Sequence, residues 1–167
     1  MRNEGIQMSK QIMTKNTAIE KLKSGSLGIA VLCLIAAGCN AAFAVAQLIT
    51  AAHDIADTIN RYMIYRSCIS FVISVIIMVI AAVMFFRISK DGIPFTAKNV
   101  RSVRIIGILF LLNAVIPSVT AAGFIGTAKG VGGLVNPSAL VEGLLFLFIA
   151  HIIRYGAMLQ QESDETL

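Results

Sequence analysis

Four stretches of the chain carry almost no polar side chains, and the charged residues gather between them. The first apolar run occupies 27–51, inside a charge-free interval from Lys23 to Asp54. The second occupies 67–87, opening after Arg66. The third covers 103–125 and the fourth 138–157. Each approaches the roughly 20 residues that an α-helix needs to cross a hydrocarbon core about 30 Å thick. In water the β-branched run Val72-Ile73-Ser74-Val75-Ile76-Ile77 would favour a strand. A lone segment in lipid must satisfy its own backbone hydrogen bonds, so a helix is predicted there as well. Pro137 suits the first turn of the fourth helix, where its missing N–H is of no consequence. The pattern therefore predicts an all-α integral membrane four-helix bundle, formed as a single domain over 1–167.

Composition agrees with that reading. The 167 residues are 57% hydrophobic and only 14% charged, with a mean hydropathy of +0.82. A soluble domain carries about 25% charged residues, so this chain lacks the polar surface to face water on every side. Trp is absent, which leaves Tyr62, Tyr65, Tyr155 and several Phe for interfacial anchoring. Cys33, Cys39 and Cys68 all lie within apolar runs, where a thiol behaves as a small hydrophobe. No disulfide framework, metal or cofactor is expected.

The net charge of +5 acquires meaning from its distribution. Segment 1–23 holds Arg2, Lys10, Lys15, Lys21 and Lys23, and the connection after the second span holds Arg87, Lys90, Lys98, Arg101 and Arg104. The other connections hold only Arg61, Arg66 and Lys129, and Arg154 closes the fourth span. The positive-inside rule then places both termini, and the loop between helices 2 and 3, in the cytoplasm. These positives record membrane orientation, and direct nucleic-acid binding is not expected. The stretch Leu34-Ile35-Ala36-Ala37-Gly38-Cys39 has the outline of a lipoprotein processing box, but apolar sequence continues after it, so a retained span is expected. In the connection 52–66, Ile55, Ile59 and Met63 fall at helical spacing, which predicts a short amphipathic helix on the outer surface. The glycine-rich connection near 126–137 reads as a loop.

Enzyme signatures are missing. Gly123, Gly126, Lys129 and Gly130 lack the spacing of a phosphate-binding loop and follow a helix instead of a strand. His53 and His151 fall on opposite sides of the membrane, and no nucleophile, base and acid stand together. Within the spans, Cys33, Asn40 and Gln47 recur every seven residues among small alanines. They could line a path for a ligand or ion, but interhelical hydrogen bonding is the simpler reading. Asn113, close to Pro117, Ser118 and Thr120, is read in the same way. Glu142 could be an ion-coupled carboxylate, yet a favourable position in the helix N-terminal dipole explains it more simply.

The predicted inner face is more patterned. Gly92-Ile93-Pro94-Phe95-Thr96 reads as a turn in which Thr96 caps the next helix. Beyond it, Lys98, Arg101 and Arg104, spaced by three, form a basic stripe. At the other end Gln160-Gln161-Glu162-Ser163-Asp164-Glu165-Thr166-Leu167 reads as a short acidic C-terminal tail. The stripe either meets this tail or binds anionic lipid headgroups.

The turn at 92–96 with Asn99, Arg101, Arg104, Ile106 and Gly107, and the ending from Gly156 to Leu167, resemble a family of uncharacterised bacterial four-helix membrane proteins, a domain of unknown function. Genes of that family often adjoin a small helix-turn-helix regulator of the Cro/C1 type. The resemblance implies a membrane partner or sensor for a cytoplasmic regulator. It carries no catalytic residues. A non-catalytic membrane protein is therefore expected, recognising a partner through Pro94, Phe95, Thr96, Asn99, Arg101, Arg104, Gln161, Glu162, Asp164 and Glu165. The alternative is a small transporter or channel subunit that uses Asn40, Gln47, Asn113 and Glu142. Four helices seldom enclose a path alone, so that alternative requires a homo-oligomer.

Overall fold

The structure is a computed structural model describing residues 2–53, 58–124 and 135–165, with side chains placed for 13, 14, 16–50, 64–116, 135–159, 161 and 162. Four α-helices account for nearly all of it: α1 (Arg2–His53), α2 (Thr58–Asp91), α3 (Ala97–Phe124) and α4 (Pro137–Glu165). Each contains a stretch long and apolar enough to cross a membrane. Large apolar side chains face outward along them; Leu32, Phe43 and Phe148 are each more than 60% exposed. In water such a surface would be an aggregation liability, whereas against lipid tails it carries no cost.

The helices alternate in direction, and the extensive contacts follow chain order: α1 on α2, α2 on α3 and α3 on α4. Met84 and Ile88 of α2, Val103 of α3 and Ala150 of α4 form a buried cluster, flanked by Phe85, Phe146 and Ile153. Small residues bring α3 and α4 together. A Cβ built at Gly107 would stand 3.0 Å from the carbonyl oxygen of Gly143, and one built at Gly143 would stand 3.0 Å from the carbonyl oxygen of Gly107. This mutual approach of two backbones is the geometry that small residues permit in membrane bundles. Phe110 stacks on Phe146 beside it, with centroids 5.4 Å apart. Between α1 and α2 the matching aromatic pair is Phe43 on Phe71, at 6.4 Å.

The helices extend beyond the apolar runs. Segment 1–23, expected to be cytoplasmic, is helical from residue 2 and continuous with the first span, giving one helix of 52 residues. The separate amphipathic helix expected within 52–66 is absent among the described residues; α2 begins at Thr58 and runs straight into its span. Ile55 and the side chains of Ile59 and Met63 lie outside the described residues. The acidic C-terminal segment continues α4 as helix through Glu165. The glycine-rich connection falls mostly on 125–134, outside the described residues.

The ends that are described have identifiable caps. Pro137 is the first residue of α4, and Asn136 precedes it as the cap. The Asn136 side-chain oxygen accepts from the Ala139 N–H at 3.5 Å and from the Ser138 hydroxyl at 2.8 Å. The Asn136 N–H in turn donates to the Ala114 carbonyl of α3 at 2.9 Å, which fixes where α4 starts along its neighbour.

Candidate functional site

Residues 92–96, between α2 and α3, are the most constrained non-helical segment of the described chain. α2 ends at Gly92, whose φ of +72° is a left-handed conformation that a side chain opposes. Its N–H donates to the Ile88 carbonyl at 2.7 Å, closing the helix with the single bond of an αL cap. Across from it, α1 supplies Lys23 and Ile19; a Cβ at Gly92 would lie 2.9 Å from Lys23 Cε and 3.1 Å from Ile19 Cγ2. The Thr96 hydroxyl accepts from the Asn99 N–H at 3.3 Å, the N-cap geometry expected from the sequence.

Asn99 locks the turn from within. It is 2% exposed, and its Nδ2 donates to the Pro94 carbonyl at 3.0 Å and the Ile93 carbonyl at 3.5 Å. Its Oδ1 is buried without a hydrogen-bond partner. Phe95 reaches α4, where its ring lies 3.3 Å from the position of a Cβ on Gly156. All four helices therefore meet this turn, since α2 and α3 enter and leave it while α1 and α4 pack on it.

The residues singled out in the sequence separate into two groups here. Asn99 faces inward and holds the fold. Arg101, Arg104 and Lys98 are exposed on α3, and Phe95, although packed on Gly156, keeps 40% of its surface exposed. Pro94 and Thr96 are half-buried. Gln161 and Glu162 are exposed and engage partners of their own. The side chains of Gln160, Asp164 and Glu165 lie outside the described residues, so the meeting of stripe and acidic ending does too.

The intramembrane polar residues do not gather. Asn40 is half-buried between α1 and α2, with its Nδ2 donating to the Ala36 carbonyl of its own helix at 2.9 Å. It lines a cavity of about 280 Å³ with Arg66, Ser67, Ser70, Phe71 and Ser74. Gln47, Asn113 and Glu142 are not part of that lining. Asn113 is half-buried on α3 with its Oδ1 unpartnered, and Glu142 is exposed on α4. Sequence reasoning missed the serine face opposite Asn40, although the spacing Ser67, Ser70, Ser74 marks it. A second cavity of about 380 Å³ lies nearer the turn, lined by Ala30, Leu34, Ala82, Val83 and Phe86 with Arg87, Lys90 and Asp91 at its rim. Among the described residues no three His, Cys, Asp or Glu side chains stand close enough to hold a metal.

Four lipid-facing helices joined by short connections define the chain as a multi-pass helical membrane protein. Residues 50–167, more than two thirds of the chain, match the family described as "Protein of unknown function (DUF2975)". The chain belongs to that family. No curated protein matches it, and no solved structure does.

Proposed function

We propose that this chain is a non-catalytic protein of the bacterial cytoplasmic membrane, with both termini inside, and that it docks a cytoplasmic regulator through the face built on residues 92–104. The observation that carries this reading is the contrast at the turn. Its interior is fixed by Gly92, Thr96 and Asn99, while Lys98, Arg101 and Arg104 are exposed on the first turns of α3 just beyond it and Phe95 is partly exposed. A partly exposed aromatic and exposed guanidinium groups on a rigid support are suited to protein recognition, because Arg and aromatic side chains dominate interface energetics and a pre-ordered surface loses little entropy on binding. The positive-inside count puts that face in the cytoplasm. The family resemblance supplies the partner class, a small helix-turn-helix regulator.

The test is co-purification of the regulator encoded beside the gene, from native membranes. Replacing both Arg101 and Arg104 with Ala should abolish co-purification while membrane insertion stays intact. Unchanged co-purification would count against the docking face. The transporter or channel alternative has weaker support, because Asn40, Asn113 and Glu142 are spread over separate helices and the cavity at Asn40 includes neither of the others.

A further inference from the structure

Between Arg66 and Arg87 the sequence contains three hydroxyl side chains, Ser67, Ser70 and Ser74, and otherwise only apolar ones. Their spacing of three and four residues puts them on one face of α2. In the structure that face turns toward α1, and all three serines line an open cavity whose opposite side carries Asn40. Small residues in a membrane bundle normally let helices touch. Here the two helices instead leave about 280 Å³ open between them. Ser70 and Ser74 follow Arg66 by four and eight residues, or roughly 6 and 12 Å along the helix. The polar lining therefore begins at the span's end, opposite the turn at 92–96, and descends toward mid-membrane.

We infer that this cavity binds a single oxyanion, a phosphate or carboxylate group, which enters from the end at Arg66. The chemistry of the lining selects the charge. Among the described residues Arg66 is the one ionised group in the lining, and none of the lining residues is a carboxylate. A guanidinium presents a planar fork of donors matched to carboxylate and phosphate oxygens. Three serine hydroxyls add donors below it, and Asn40 retains one amide hydrogen beyond its bond to Ala36. Phe71, stacked on Phe43, forms an apolar wall. The volume lies just under the roughly 300–1,000 Å³ of pockets for drug-sized ligands, so the site takes one small charged group. Polar groups left facing hydrocarbon are costly, which gives this face a reason to remain solvated or occupied. The site stands whether or not the turn docks a regulator, since the two share no residue.

A free anion and a lipid headgroup phosphate offer the same chemistry, and two arms of one experiment separate them. The full chain is placed in nanodiscs of digalactosyldiacylglycerol, which is neutral and carries no phosphate, and its thermal midpoint is followed by circular dichroism as inorganic phosphate or acetate is added against sodium chloride at matched ionic strength. In the second arm the discs contain phosphatidylglycerol. A ligand at concentration c that binds only the folded state stabilises it by RT ln(1 + c/Kd), so the midpoint climbs with the logarithm of c once that exceeds Kd. A rise with added phosphate or acetate in neutral discs assigns the site to free anions, and a rise only with phosphatidylglycerol assigns it to headgroups. In either case R66Q should weaken the apparent affinity at least tenfold, and the nearly isosteric pair S70A and S74A should weaken it several-fold. The serine pair keeps the test decisive if R66Q fails to fold. No anion-dependent shift in either arm, or variants that respond as the unmodified chain does, would overturn the assignment.

Discussion

Replacing Gly143 with Ala probes how closely α3 and α4 are joined. The new Cβ would stand 2.7 Å from Leu111 Cδ2, 2.8 Å from Leu111 Cγ and 3.0 Å from the Gly107 carbonyl oxygen. Ordinary carbon contacts begin near 3.5 Å, so the leucine must move by about 0.8 Å. Leu111 can change rotamer, but the Gly107 carbonyl belongs to the helix itself and moves only if α3 and α4 separate. Overpacking of this kind costs about 1–3 kcal/mol. Alanine also favours helix over glycine by about 1 kcal/mol, which would mask part of the loss. Gly38 supplies the control, because a Cβ there meets nothing within 4 Å. In the difference between G143A and G38A the propensity contribution cancels and the packing cost remains. Unfolding by SDS titration in mixed micelles should show G143A less stable than G38A by about 1–3 kcal/mol. Truncating Leu111 to Ala in the G143A background should recover only part of the loss, since the carbonyl contact survives. Equal stability of G143A and G38A would refute the account of backbone contact.

Three further outcomes follow from the turn. G92A must place a side chain at φ +72° and within 2.9 Å of Lys23 Cε, and should lower stability by about 1–2 kcal/mol; shortening Lys23 to Ala should relieve the contact but not the backbone strain. T96A removes the cap on α3 and should cost about 0.5–2 kcal/mol, read in the same SDS titration. N99A breaks the bonds to the Pro94 and Ile93 carbonyls. It should cost about 1–3 kcal/mol and raise hydrogen exchange at residues 92–97 above that of the span interiors. Stability unchanged in N99A would show that the turn is held by its neighbours alone.

The spans were readable because charge-free runs of about 20 residues have few other uses, and Thr96 and Pro137 announced their helix starts through side-chain and ring chemistry. The long continuation of α1 was not readable. Gly25, Ser26 and Gly28 look like a break ahead of the span, but Ser26 is 5% exposed and the helix passes through without interruption. Asn99 illustrates a second limit. Its place three residues after Thr96 is visible in sequence, whereas the direction in which its side chain turns depends on where Pro94 and Ile93 put their carbonyls. Gly107 and Gly143 needed the register of α3 on α4, which comes from tertiary packing and the Asn136–Ala114 bond. The serine face of α2 was present as a spacing of three and four. What made it a cavity was Asn40, thirty residues earlier on another helix.

The unbroken course of α1 has a mechanical consequence. One helix lines the oxyanion cavity with Asn40, borders the second cavity with Ala30 and Leu34, and rests on the turn with Ile19 and Lys23. From Asn40 to Lys23 is roughly 26 Å of rigid rod at 1.5 Å per residue. α1 packs extensively on α2 alone, so any tilt of α1 would be taken up along that one seam. A tilt of about 5° pivoting at Asn40 would carry Lys23 by about 2 Å over that length. A displacement of that size exceeds the slack at Gly92, so the turn would have to move with it.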